Sequence, residues 1–83
     1  MRAFTDADGA PWVASAVESQ GPDYKGRFHL VLSREGEDDR LELHDVRWNS
    51  ERTAHRSIAT MSVVELRRRL RSAVGRSGSV VGP

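Results

Sequence analysis

The fold is decided by residues 27–44, whose sequence is RFHLVLSREGEDDRLELH. This stretch holds two segments in which apolar and polar residues alternate, 27–33 and 40–44, separated by an acidic segment with one glycine. A period of two is typical of a half-buried strand, because successive side chains of a strand point to opposite faces of the sheet. The stretch therefore predicts an antiparallel hairpin with an acidic loop.

The apolar residues of this hairpin predict its register. Pairing Ser33 with Arg40 places the leucines of both strands on one face: Leu30, Leu32, Leu41 and Leu43. The other face then carries, in opposite pairs, Val31 and Glu42, and His29 and His44. A shift of one residue would turn half of the leucines toward solvent, so we expect this register.

Two further strands are predicted before the hairpin. Phe4 lies in a short extended segment, and Asp6–Gly9 has the short polar side chains and the glycine that tight turns use. Residues 12–18 alternate with a period of two, and we expect Trp12 at their start to be buried. Residues 19–26 contain two glycines and a proline and are predicted to form a loop.

A helix is predicted at residues 63–74. Ser62 and Glu65 have the spacing of a capping box, in which each residue binds a free backbone amide at the start of the helix. Apolar residues recur along it at three- and four-residue spacing: Val63, Leu66, Leu70, Ala73 and Val74. We expect Gly75 to end the helix and residues 76–83 to form a flexible tail.

Residues 45–61 allow two interpretations. Trp48 is expected to end a strand with its indole in the core. Asn49 or Ser50 can then cap a short helix at residues 51–56. The β-branched residues of the segment also tolerate an extended strand, and both interpretations stay open.

These elements predict one α+β domain at residues 1–75, a small antiparallel β-meander of three or four strands packed against a C-terminal α-helix. A chain of 83 residues with 37% hydrophobic residues has room for one small core and not for a second domain. The absence of cysteine excludes disulfides and thiolate ligands. Without a long apolar run we expect no membrane span and no signal peptide, and hence a cytoplasmic protein.

The formal net charge of +1 conceals an asymmetry along the chain. Residues 1–45 carry ten acidic and five basic side chains, a balance of −5, whereas residues 46–83 carry eight arginines and two acids, a balance of +6. Either one half neutralises the other, or the charges contact a partner. The predicted contact residues, for a protein or for phosphates, are Arg47, Arg52, Arg56, Arg67, Arg68 and Arg71.

We expect a non-enzymatic interaction or regulatory module that binds another protein through this arginine-rich helix face or through the acidic hairpin loop at residues 34–39. The alternative is sequence-nonspecific binding of RNA or DNA through the C-terminal arginines. The sequence has no nucleophile elbow, no Ser-x-x-Lys and no phosphate loop, so we predict no catalytic residue and no cofactor. The oligomeric state is left open.

The histidines pose the question of a metal site. In the register above, His29 lies opposite His44, and Glu42 lies two residues away. Two imidazoles and a carboxylate can bind zinc, but a closed structural site has four ligands. Histidines on the solvent face of a strand are common without a metal, so the expectation is no metal site. His55, in a basic segment, has no evident partner.

Two segments resemble those of a loose set of short uncharacterised bacterial proteins. Residues 4–12, FTDADGAPW, match their N-terminal pattern of an aromatic residue, Asp, Gly and Trp. Residues 61–66, MSVVEL, match their final helix, which opens with a Ser-x-x-Glu-Leu cap. The resemblance covers about the first dozen residues and the last helix, implies a bacterial origin, and brings no activity with it.

Overall fold

The computed structural model describes residues 1–18 and 27–81, with side chains up to residue 75. Its elements, in chain order, are β1 (Arg2–Thr5), β2 (Pro11–Glu18), β3 (Phe28–Arg34), β4 (Arg40–Trp48), α1 (Glu51–Thr60) and α2 (Val63–Val81). The strands form one antiparallel sheet in the order β1-β2-β3-β4. The predicted α+β fold, a meander with a C-terminal helix, is confirmed, and α1 is a second helix.

The turn between β1 and β2 is held by the carboxylate of Asp6. Its Oδ1 accepts hydrogen bonds from the backbone amides of Asp8 and Ala10, both at 2.9 Å, and its Oδ2 accepts one from the Trp12 indole at 3.0 Å. Gly9 has a φ of +87°, which its lack of a side chain permits. These hydrogen bonds, first that from Ala10 and then that from Trp12, hold the pKa of Asp6 below its ordinary value. The predicted turn is confirmed.

The hairpin of β3 and β4 has the predicted register over its leucines. The pairs are Ser33 with Arg40, Leu32 with Leu41, Val31 with Glu42, and Leu30 with Leu43. Next to Leu30 the register shifts at a β-bulge, so that His29 pairs with Arg47. The prediction that His29 pairs with His44 in the ladder is therefore wrong.

The bulge has a physical reason in the residues that follow it. Without extra residues, strict alternation after Leu43 would turn Asp45 toward the core and Val46 away from it. The residues inserted at the bulge reverse which side chains point toward the core, as bulges do in other sheets. Val46 and Trp48 pack against the core, whereas Asp45 is exposed. The expectation that the Trp48 indole joins the core is thereby confirmed.

The core lies between the sheet and the two helices. α1 packs across β2, β3 and β4, and α2 packs against β1 and β4. The buried cluster consists of Phe4, Trp12, Ala14, Leu30, Leu32, Leu43, Ile58, Met61, Leu66, Leu70 and Ala73. Val63 and Val74, 36% and 47% exposed, lie outside it, so the predicted apolar stripe of α2 is too wide.

Residues 49–61 adopt the helical interpretation, and the extended alternative is wrong there. Ser50 caps α1, because its Oγ accepts a hydrogen bond from the Thr53 amide at 3.2 Å. The helix extends to Thr60, beyond the predicted short helix. Ala54 and Ile58, four residues apart, are both buried on its inner side, so the second turn contributes to the core as the first does.

The end of α1 is bound by Arg2 of β1. Its Nη1 donates to the carbonyl oxygens of Ala59 at 3.1 Å and Met61 at 2.9 Å. The last carbonyls of a helix have no partner within the helix and carry its partial negative charge. The guanidinium of Arg2 donates hydrogen bonds to these carbonyls and places a positive charge beside them. The sequence around Arg2 gives no signal for this role.

The start of α2 follows the predicted cap in part. The Glu65 amide donates to Ser62 Oγ at 3.0 Å, as predicted. The Glu65 carboxylate instead accepts from the Arg69 guanidinium, at 2.8 and 3.1 Å, one turn further along. The competing arginine explains why only half of the predicted capping box forms.

The far end of α2 differs from the prediction. The helix continues through Gly75 to Val81, and Gly75 has no positive φ, so the prediction that it ends the helix is wrong. A glycine inside a helix costs only about 1 kcal/mol relative to alanine, and it does not block the next hydrogen bond. The tail predicted at residues 76–83 falls partly within α2. Its last residues, 82–83, and the loop predicted at 19–26 lie outside the described residues.

Candidate functional site

Four of the six predicted contact arginines are exposed on the helices, and we call them the exposed arginine set: Arg52, Arg56, Arg68 and Arg71. Arg52 and Arg56 are four residues apart on α1, and Arg68 and Arg71 are three residues apart on α2. Such spacings put each pair on one side of its helix, with Cβ atoms about 5–6 Å apart. In the part of the chain that the structure describes, none of the four makes a side-chain hydrogen bond or an ion pair.

The other two predicted arginines bind within the fold. Arg67 donates from Nε to the carbonyl oxygen of Thr5 at 2.8 Å and from Nη2 to its hydroxyl at 3.1 Å, which joins α2 to β1. Arg47 donates from Nε to the carbonyl oxygen of His44 at 2.8 Å, across the β-bulge. Both side chains are half-buried and have a structural role that competes with partner contact.

The loop of the hairpin, residues 34–39, carries the negative charge that contrasts with the exposed arginine set. Its acids are all exposed and, within residues 1–18 and 27–75, make no ion pair: Glu35, Glu37, Asp38 and Asp39. Gly36, with a φ of +82°, gives the loop its turn. Direct pairing of these acids with the exposed arginine set does not occur, so internal neutralisation does not account for these charges.

An open groove of about 240 Å³ lies between the end of β4 and α2. Its walls mix both charges with one leucine: Leu43, Asp45, Glu65, Arg68, Arg69 and Ser72. Pockets that enclose a small molecule usually have about 300–1,000 Å³. The groove is therefore suited to a side chain of a partner and is small for an enclosed substrate.

A histidine cluster, His29, Glu42 and His44, lies on the opposite face of the sheet. His29 is buried, and its Nε2 lies 2.9 Å from Glu42 Oε1. The ring of His44, which is exposed, lies with its centroid 4.4 Å from that of His29, at an interplanar angle of 34°. The hydrogen bond from His29 is the main cause that holds the pKa of Glu42 below its ordinary value.

The bulge brings these three residues together by a route that the sequence does not predict. Glu42 and His44 are two residues apart on β4, so both point away from the core. His29 pairs with Arg47 in the ladder, yet the ring of His44 still reaches it because the bulge begins directly after Leu43. The predicted pairing is wrong, and the two histidine rings are neighbours by another arrangement of the backbone.

Three of the four Phe and Trp side chains that the structure describes belong to the core or pack against it. Phe4 and Trp12 are buried, and Trp48 packs against the same cluster. Phe28 is half-buried at the start of β3. Tyr24 lies outside the described residues. Within those residues, no fully exposed aromatic ring is offered to a nucleic-acid base for stacking.

Comparisons with protein-family models, with curated proteins and with solved structures give no match. The resemblance to short bacterial proteins therefore stays a prediction. In the described part of the chain, neither helix combines the length and the apolar character needed to cross a bilayer.

Proposed function

We propose that the protein is a small, non-enzymatic interaction module that binds an acidic segment of a partner protein through the exposed arginine set. The observation that carries this proposal is the lack of any internal partner for those four guanidinium groups among the described residues. A guanidinium matches a carboxylate with two parallel hydrogen bonds, a geometry that a protein partner rich in Asp and Glu supplies.

The groove beside α2 supports the same surface. Arg68 lines this groove, and Leu43 forms part of its wall. A segment that carries both acidic and apolar side chains would pair a carboxylate with Arg68 and place a small apolar group against Leu43. Interfaces combine a buried apolar contact with a polar rim in this way.

Nucleic-acid binding by the same arginines is the competing function. Sequence-nonspecific binding would depend mainly on phosphate contacts, because Phe4, Trp12 and Trp48 are engaged in the core and Phe28 is half-buried. The groove beside α2, with Leu43 in its wall, offers an apolar contact to a peptide side chain and none to a sugar–phosphate backbone. These two features favour the protein partner.

A fluorescence anisotropy titration of the whole chain tests the proposal. The probes are a labelled peptide in which Glu and Asp alternate with Leu and Ala, and labelled single-stranded RNA and duplex DNA of the same formal charge. The test variant is Arg68→Glu with Arg71→Glu, and the matched control is Arg34→Glu with Arg40→Glu, two exposed arginines of the sheet. Both variants change the net charge equally.

We expect the peptide to bind, and the α2 variant to weaken it by at least about tenfold while the control weakens it little, since one lost charged hydrogen bond is worth about 1.5–3 kcal/mol. Equal weakening by both variants would mean that only net charge matters. Tighter binding of RNA or DNA, with a steep salt dependence that the α2 variant removes, would replace the proposal by the nucleic-acid alternative. No binding of any probe at low salt would refute both.

A further inference from the structure

The histidine cluster has the donor atoms of a metal site. His29, Glu42 and His44 each offer one ligand atom, and these atoms all lie within 4.8 Å of one another. The sequence predicts no metal site at these residues, because histidines on the solvent face of a strand are common without a metal. The structure brings the three side chains together on the face of the sheet that the helices do not cover.

We propose that His29, Glu42 and His44 bind a divalent transition-metal ion, with Zn²⁺ as the ion that the donor set fits best. Two imidazole nitrogens and one carboxylate oxygen are the donors that Zn²⁺ accepts in three-ligand sites. Ca²⁺ and Mg²⁺ prefer sites made of oxygen atoms alone, so this set discriminates against them.

The distances allow the ion to enter with small side-chain movements. In a tetrahedral site with metal–ligand bonds of about 2.0–2.2 Å, ligand atoms lie about 3.4 Å from one another. The gap of 2.9 Å between His29 Nε2 and Glu42 Oε1 must open slightly, and the other two gaps are at most 4.8 Å. The ion thus takes the place of the hydrogen that His29 and Glu42 share.

The mobility of the three ligands differs in a way that suits binding. The side chain of His29 is 4% exposed and lies on β3, an internal strand of the sheet, so it gives the site a ligand with little freedom to move. The side chain of Glu42 is 47% exposed and His44 is exposed, so both can adjust. The hydrogen bond from Arg47 to the carbonyl oxygen of His44 holds the backbone of the bulge while the ring moves.

Three protein ligands leave the fourth tetrahedral position open. Because two of the ligands are exposed, this position faces solvent and would be taken by water or by a side chain of another molecule. The site is separate from the exposed arginine set, which lies on the helices. Metal binding at the histidine cluster can therefore be tested independently of partner binding at the exposed arginine set.

Isothermal titration of the metal-free whole chain with ZnCl₂ is the test. We expect binding of one Zn²⁺ per chain, weakened by at least about tenfold in His44→Ala, since one of three ligands is lost. His55→Ala is the matched control, because His55 is an exposed histidine of α1 outside the cluster. His44 is also exposed, so His44→Ala should keep the circular dichroism spectrum of the wild type, and Glu42→Gln provides a second variant.

Two further readouts separate a built site from loose surface binding. Zn²⁺ should raise the Tm of the wild type and of His55→Ala, and not that of His44→Ala. Cu²⁺ should compete with Zn²⁺, whereas Mg²⁺ should not. Unchanged Zn²⁺ affinity in His44→Ala, an equal loss in His55→Ala, or no Zn²⁺ uptake by the wild type would overturn the proposal.

Discussion

Leu66→Ala is the substitution that most directly tests whether α2 is docked on the sheet. Leu66 is completely buried and belongs to the same cluster as Trp12 of β2 and Leu43 of β4. A buried Leu→Ala change costs about 2–5 kcal/mol, because it removes apolar contacts and leaves a cavity. Since no exposed surface relieves the loss at this position, we expect a cost of about 3 kcal/mol.

This cost is large relative to the stability of so small a domain. At about 0.05–0.15 kcal/mol per residue, a chain of this length is stable by about 4–12 kcal/mol. Each kcal/mol lowers the Tm of a domain of this size by about 4–8 °C, so Leu66→Ala should lower it by about 12–24 °C. Urea titration followed by circular dichroism gives the free energy of unfolding, with an unchanged slope if the unfolded states are alike.

Val64→Ala is the matched control on the same helix. Val64 is 66% exposed, so its loss removes little buried area, and alanine is the better helix former. We expect its stability to lie within about 0.5 kcal/mol of the wild type. If Leu66→Ala costs no more than Val64→Ala, then α2 does not pack on the sheet, and the placement of Arg68 and Arg71 on its outer side is wrong as well.

Three further outcomes follow from individual contacts. Leu70→Asp puts a carboxylate into the core, where we expect it to abolish the cooperative thermal transition; a soluble variant that melts cooperatively would contradict the packing. Arg2→Met keeps the apolar stem but removes the donors at the end of α1, and urea titration should show a loss of about 1 kcal/mol; equal stability would mean that water satisfies those carbonyls. In the fold the pKa of Asp6 is lowered, so its stabilising effect is complete above the ordinary value of 3.8 and is lost as the pH falls below it toward the folded-state pKa. The urea midpoints of wild type and Asp6→Asn should therefore differ at neutral pH and converge in acid, and a difference that is constant with pH would refute this linkage.

The hairpin was predictable because its constraint is local. Leu30 and Leu32 on one strand, and Leu41 and Leu43 on the other, share a face in the observed register, and a shift of one residue would separate them. The turn at Asp6 was predictable for the same kind of reason, since its hydrogen bonds lie within six residues. Where the residues that pair with each other are close in sequence, their pattern is enough to predict the structure.

The bulge after Leu43 was not predictable from the same pattern. Its cause is that Val46 and Trp48 must face a core completed by helices that come later in the chain. The alternation through residues 40–44 indicates a regular strand. The neighbouring sequence does not show where the inward-facing and outward-facing positions exchange. The pairing of His29 was wrong for this reason, although His44 still reaches it.

The candidate contact arginines were also predictable only as far as neighbouring residues determine their positions. Arginine content and helical spacing predict a basic surface on α2, and Arg68 and Arg71 are exposed there. They do not predict that Arg67, between Leu66 and Arg68, binds Thr5 at a separation of 62 positions in the chain. Which arginines bind within the fold depends on tertiary contacts that no short window of sequence contains.

The exposed arginine set has a cost that the fold itself does not offset. Like charges three or four residues apart on a helix destabilise it by about 0.2–0.5 kcal/mol per pair, and the exposed arginine set contains one such pair on α1 and one on α2. Arg69 shows that α2 relieves such repulsion where an acid is within reach, by its ion pair with Glu65. Arg68 lines the groove with Asp45 and Glu65, yet neither Arg68 nor Arg71 makes an ion pair among the described residues, and the four acids of the hairpin loop stay exposed. Contacts within the fold thus account for Arg2, Arg67 and Arg69, whereas the four guanidinium groups of the exposed arginine set make no such contact among the described residues.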